Sequence, residues 1–222
     1  MNDYLVTSIT DLGCSHGMKS KIKPIKFEED SSVNTIYGRA FSYSNIEEIY
    51  FPKSLNELKE GWCYETTKLK KIIISPSNKQ FIFKDDKYLL GKSDRNNEEF
   101  DVLLFVIRDI EEFSIPSNIK IIGSCSFEYS DIKEISIPSN ITKICKNAFY
   151  NCYNLSKVEI PTNSNLQTIG SCAFSYSNIN EISIPSNVTK ICECTFSDCD
   201  NLIRVEIPMN SNLQTIESYA FS

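Results

Sequence analysis

Nine cysteines, one histidine and a surplus of carboxylates are the residues of this chain that could do chemistry. Cys192-Glu193-Cys194 followed by Cys199 could in principle ligate zinc. The chain holds no CxxC pair, however, and His16 is remote in sequence, so a tetrahedral Cys/His site is not expected. Nucleophilic catalysis needs a Ser or Cys beside a positioned base. His16, the one histidine, falls in an irregular N-terminal stretch, where a solvated or capping role fits better. Carboxylates could work as an acid–base pair, but no spacing singles out such a pair. The expectation is therefore no catalytic residue, no metal and no cofactor.

The cysteines carry a different message. Cys125 and Cys172 are 47 residues apart, as are Cys145 and Cys192, and Cys152 and Cys199. Residues 129–140, YSDIKEISIPSN, return as 176–187, YSNINEISIPSN, at the same offset. Six of the nine cysteines thus occupy repeated slots, and buried reduced thiols are the expected state. Equivalent cysteines sit two ladder steps of ~4.8 Å apart, beyond the ~7 Å Cα limit for a disulfide.

Each 47-residue unit contains two half-units of 23 and 24 residues. Anchors recur at Phe27, Phe51, Ile74, Ile115, Ile137, Ile160, Ile184 and Ile207. Every step is 22 to 24 except Ile74 to Ile115, which is 41 and marks an insertion over 77–109. Each anchor has an apolar partner two residues earlier, as in Ile135/Ile137 and Val158/Ile160. That spacing puts both on one face of a strand. A Pro follows the anchor in six half-units and ends the strand's ladder. The chain's 30 Ile and 13 Leu fit strand-core slots filled by β-branched residues. Past the Pro the period of two is lost. Val188, Ile191 and Phe196 predict a turn and a short helical or irregular return. Pairs such as Ala148-Phe149 and Ala173-Phe174 predict a stack of Phe rings down the core. One half-unit cannot bury its apolar face alone, but stacked neighbours can.

The runs NLSKVEIP (154–161), SNVTKICECTF (from Ser186) and NLQTIGSCAF (165–174) resemble the BspA-like leucine-rich repeat. The match covers about nine-tenths of the chain, with Ile replacing most consensus Leu. The resemblance implies a right-handed, mostly β solenoid with its parallel strand ladder lining one face. It also implies adhesion or interaction roles, with an extracellular or host protein as ligand. Domain organisation is then residues 1–21 as an irregular segment or cap and 22–222 as the solenoid. The insertion 77–109 reads as a β-hairpin or small meander from its runs Gln80–Phe83, Tyr88–Gly91 and Asp101–Arg108.

Net charge is −6, which argues against nucleic acid as partner. No run of 18 apolar residues exists. The first twenty residues lack a basic region followed by an apolar one, and this, with the thiol content, favours a cytoplasmic location where the resemblance favours a surface. Three N-glycosylation sequons begin at Asn140, Asn154 and Asn187. The final half-unit stops in mid-unit at Ala220-Phe221-Ser222, which reads first as a fragment or abrupt gene end, and otherwise as an open core face that self-associates or is covered by a partner.

Solenoids bind through extended strand-lined surfaces. The outward strand positions are therefore the candidate partner-binding residues: Glu48, Tyr50, Lys71, Ile73, Glu112, Glu134, Lys157, Glu159, Glu181, Arg204 and Glu206. The expected function is a noncatalytic protein-interaction module, of cell-surface or adhesion type. An intracellular leucine-rich-repeat scaffold is the alternative, and a hydrolase hosted on a solenoid a more distant one.

Overall fold

The computed structural model describes residues 24–222, together with the two-residue strand Ser8–Ile9. Apart from that strand, the proposed cap over 1–21, including His16, lies outside the described residues. The chain divides into two compact units, Met1–Phe100 and Asp101–Ser222. Both are built from short strands joined by turns, with no helix among the described residues. The returns are thus irregular rather than helical.

In the first unit, β2 (Pro24–Ile25), β4 (Glu48–Phe51) and β6 (Lys71–Ile74) pair in parallel. A second parallel ladder joins β1 (Ser8–Ile9), β3 (Thr35–Ile36) and β5 (Glu57–Leu58). Ile49, Phe51 and Ile36 are fully buried between the two ladders' side chains and the returns. β7 (Ile82–Lys84) and β8 (Tyr88–Gly91) form an antiparallel hairpin. Its turn places Asp85 and Asp86 at φ of 55° and 51°, the left-handed pair that matches strand twist.

The second unit repeats the scheme over more turns. β9 (Val102–Val106), β10 (Ile121–Ile122), β12 (Lys143–Ile144), β14 (Thr168–Ile169), β16 (Lys190–Ile191) and β18 (Thr215–Ile216) make one continuous parallel ladder. β9 is the third run of the insertion. Its Val102 and Leu103 pair in parallel with Ile121 and Ile122. The Pro-terminated strands form a second set: β11 (Glu134–Ser136) with β13 (Lys157–Glu159), and β15 (Glu181–Ser183) with β17 (Arg204–Glu206). The half-unit of Phe113 and Ile115 joins this set through an isolated parallel bridge, Glu112 to Glu134.

The core has the predicted composition. Ile135, Ile137, Val158, Ile182 and Ile184 are buried from the Pro-terminated strands. The Phe rings stack: Phe127, Phe149, Phe174, Phe196 and Phe221 follow one another at centroid distances of 4.7, 5.0, 5.5 and 5.4 Å, with planes within 12° of parallel. Such offset stacking adds about 0.5–1.5 kcal/mol per pair beyond area burial. In the first unit Phe41 is buried, but the next turn places Trp62 and Cys63 where the others have Ala and Phe. Trp62 instead packs edge-on against Phe51 at 5.8 Å.

The return arcs explain how a Gly-poor chain turns so often. Each arc carries two left-handed residues four apart: Cys125/Tyr129, Asn147/Asn151, Cys172/Tyr176 and Cys194/Asp198, all at φ of 53–59°. A non-Gly residue there costs roughly 1–2 kcal/mol. The compensation is a set of hydrogen bonds to the following turn. In one arc Cys172, Phe174 and Tyr176 N–H donate to Glu193, Thr195 and Ser197 carbonyls at 3.0, 2.9 and 3.0 Å. Gly170 is required for a different reason. A Cβ there would meet the Lys146 nitrogen at 2.6 Å and the Cys145 carbonyl carbon at 2.7 Å.

Candidate functional site

The outward strand positions are set by the same alternation that buries the core. In β11, β13 and β15 the middle residue is buried and its two neighbours exposed. Parallel register then stacks Glu134 on Lys157 and Ser136 on Glu159, and repeats this as Glu181 on Arg204 and Ser183 on Glu206. These side chains border an open groove of about 920 Å³ in the second unit. Glu112 joins the row through its bridge to Glu134.

Charges on this face fall into two classes. In one, Ser136 Oγ donates to Glu159 Oε2 at 2.9 Å, while Lys157 Nζ holds Glu159 Oε1 at 2.6 Å. The copy 47 residues on has Ser183 Oγ donating to Glu206 Oε2 at 2.8 Å and Arg204 holding Glu206 Oε1 at 2.5 Å. The Lys157 and Ser136 hydrogen bonds hold the Glu159 carboxyl below the usual range, and Glu159 in turn raises Lys157. The other class is Glu112, Glu134 and Glu181. All three are exposed, and among the described residues no Lys or Arg nitrogen comes within 4.0 Å of them.

In the first unit, Glu48 stacks on Lys71, with Lys71 Nζ donating to its carboxylate at 3.2 Å, and Tyr50 stacks on Ile73. Tyr50 is engaged: its hydroxyl donates to Glu29 Oε2, whose other oxygen accepts from Ser75 Oγ at 2.6 Å. These bonds lower the Glu29 carboxyl, and the Glu29 bond raises the Tyr50 hydroxyl. Sequence reasoning missed Glu29 because it lies past the anchor Phe27, where the period of two is lost.

The repeated Asn residues after the Pro have a structural use. Asn78 Nδ2 donates to Pro52 and Leu55 carbonyls at 2.9 and 2.7 Å. Asn140 does the same to Ser117 and Ile119 at 2.9 and 2.5 Å. Asn187 Nδ2 donates to the Ser164 carbonyl at 2.7 Å. Of the three sequons, Asn154 has the least committed amide, with a single 3.4 Å bond to Asp131.

The cysteines divide by environment. Cys152 and Cys199 donate to the Phe127 and Phe174 carbonyls at 3.0 and 3.1 Å and touch Ser130 and Ser177. Burial pushes the Cys152 thiol up to about 12. Cys63 and Cys125 are also buried, whereas Cys145, Cys172, Cys192 and Cys194 are half-buried. No three His, Cys, Asp or Glu among the described residues gather as metal ligands.

The sequence model described as BspA type leucine-rich repeat region matches residues 5–88 and 103–222 in six copies. The chain belongs to the BspA-type leucine-rich repeat family. Among solved structures it is similar to a leucine-rich cell surface protein from Faecalibacterium prausnitzii A2-165. That match has 23% identity, a TM-score of 0.77, and coverage of 96% of this chain and 57% of the other. A leucine-rich repeat protein from Eubacterium ventriosum ATCC 27560 matches at 24% identity and a TM-score of 0.66, over 90% of this chain and 64% of that one. The pneumococcal vaccine antigen PcpA matches at 21% identity and a TM-score of 0.58, over 96% and 66%. At these identities the likeness concerns the fold, and this chain spans under two thirds of the first two structures. No curated protein sequence matches the chain. No helix among the described residues is long and apolar enough to cross a membrane.

Proposed function

We propose that this BspA-type repeat chain is a noncatalytic protein-interaction module of cell-surface or adhesion type. Its partner presents cationic side chains to the Pro-terminated strand face of the second unit. The observation that carries the reading is the row Glu112, Glu134 and Glu181. These carboxylates are exposed and have no ion-pair partner within the described residues, while their neighbours Glu159 and Glu206 are held by Ser and Lys or Arg. The paired residues Lys157 and Arg204 set the register of the face, and the exposed carboxylates outside these ion pairs supply the attraction. Glu48, Tyr50, Lys71 and Ile73 belong to the corresponding face of the first unit and offer a mixed aromatic and aliphatic surface of the kind that anchors interfaces.

Support also comes from the family, whose strand-lined faces are the surfaces that solenoids use for binding, and from a structural neighbour described as a cell surface protein. The test is affinity for a captured partner, measured with the full chain and with Glu134→Lys combined with Glu181→Lys. Rim charges act mainly on association, so a loss of about tenfold concentrated in the on-rate is expected, together with weakening by salt. Unchanged affinity in the double variant would discard the site.

A further inference from the structure

Cys172 and Cys194 occupy the same left-handed slot of consecutive return arcs, at φ of 53° and 54°. The hydrogen bonds from Cys172 and Phe174 N–H to the Glu193 and Thr195 carbonyls bracket them, so the two Cα atoms lie side by side on neighbouring turns. One ladder step is about 4.8 Å, inside the roughly 4.4–6.8 Å Cα window for a disulfide. The other occupants of this slot in the second unit are Cys125, Asn147 and Tyr219, so no other cysteine has a cysteine beside it there. Cys145 and Cys192 fill another slot, but Gly170 stands between them on the intervening turn. Both Cys172 and Cys194 are half-buried, within reach of a small reagent. The thiols are close enough for Cys194 to act on Cys172, whose titration is raised chiefly by burial and then by Cys194.

We infer that Cys172 and Cys194 form a redox-labile disulfide that staples two adjacent turns of the second unit. The oxidant is a small disulfide of the glutathione class. One cysteine thiolate attacks a sulfur of that disulfide and expels a thiolate, giving a mixed disulfide. The second cysteine then attacks the protein-bound sulfur and expels the other thiolate. The protein pair loses two electrons and two protons, and the small disulfide becomes two thiols. Lability follows from geometry. Stacked side chains keep the ladder spacing, whereas a relaxed disulfide needs Cβ atoms about 3.5–4.5 Å apart, so closure pulls the turns together and the strained bond reduces readily.

The full chain, first reduced, is treated with oxidised glutathione, blocked with N-ethylmaleimide, and digested with trypsin. The expected product links the peptide of residues 158–190 to that of 191–204, with fragmentation placing the bond on Cys172 and Cys194. The link persists in Cys192→Ser and is lost in Cys194→Ser, and native reduced glutathione reopens it. A bond to Cys192 or Cys199, stable glutathione adducts, or full alkylation of both thiols would overturn the pairing. Resistance to reduced glutathione would overturn the lability. Localisation on the unmodified chain decides the matter even where a variant fails to fold.

Discussion

The Cys152 thiol shows how tightly a single residue is held in this fold. It donates to the Phe127 carbonyl, contacts Ser130, and is sealed from water. Its raised titration means the native chain keeps this proton between about 9 and about 12, where the unfolded chain releases it. Stability conferred by the protonated thiol is therefore intact below about 9 and falls as pH rises across that window. Ser fills the same slot on both neighbouring turns, as Ser130 and Ser177. Cys152→Ser should fold, and its urea midpoint should decline less steeply than the parent's over the alkaline range. Equal slopes would show that Cys152 is not the group responsible. Thiol labelling of the native chain should modify Cys145, Cys172, Cys192 and Cys194 well before Cys63, Cys125, Cys152 and Cys199, which require denaturant. Fast modification of Cys152 would contradict the burial.

Among the elements, the Pro-terminated strands and the Phe stack were legible in the sequence. Two apolar residues before each Pro, at a near-constant step, fix both the buried face and the register. The second ladder was not. Apart from β9, its strands are two residues long, as Lys143–Ile144 and Lys190–Ile191, and one buried Ile has no periodicity to read. Of the outward residues, those of the second unit are exposed while Glu48, Tyr50 and Ile73 are half-buried, and Glu159 and Glu206 could not be told apart from Glu134 and Glu181. That distinction depends on serines 23 residues away reaching across a turn. The Cys172 and Cys194 pairing was hidden because cysteines were compared at the 47-residue offset rather than across one turn. At this scale Gly170→Ala should cost about 1–3 kcal/mol, because its methyl must displace backbone rather than a side chain. Phe149→Ala, in mid-stack, should cost about 3–5 kcal/mol, while Phe221→Ala, at 40% exposure, should cost clearly less. Urea unfolding of the three variants checks the order.

For the molecule as a whole, the two-turn unit of 47 residues is the natural quantum of change. Removing residues 138–184 joins Ile137 to Pro185 and preserves the Ile-Pro junction. β11 then lies beside β17, Ser136 can donate to Glu206, and Phe127 stacks on Phe196. The shortened chain should fold, with a urea m-value reduced roughly in proportion to the surface no longer buried. An unfolded product would show that the turns are not interchangeable. The bonds that join the turns have a further property. From Ser54 to Ser31, Ser136 to Glu159, Ser177 to Cys199 and Thr195 to Gly170, the partners are 22 to 25 residues apart, the length of one turn. Sequence separation between partners on adjacent turns therefore stays close to one turn length along the repeats. Each added turn closes a loop of the same length, with the same entropic cost as the one before. Relative contact order falls as turns are added, so the search for a first folded pair of turns is no slower in a longer array, and growth from that pair is a matter of repeated local docking.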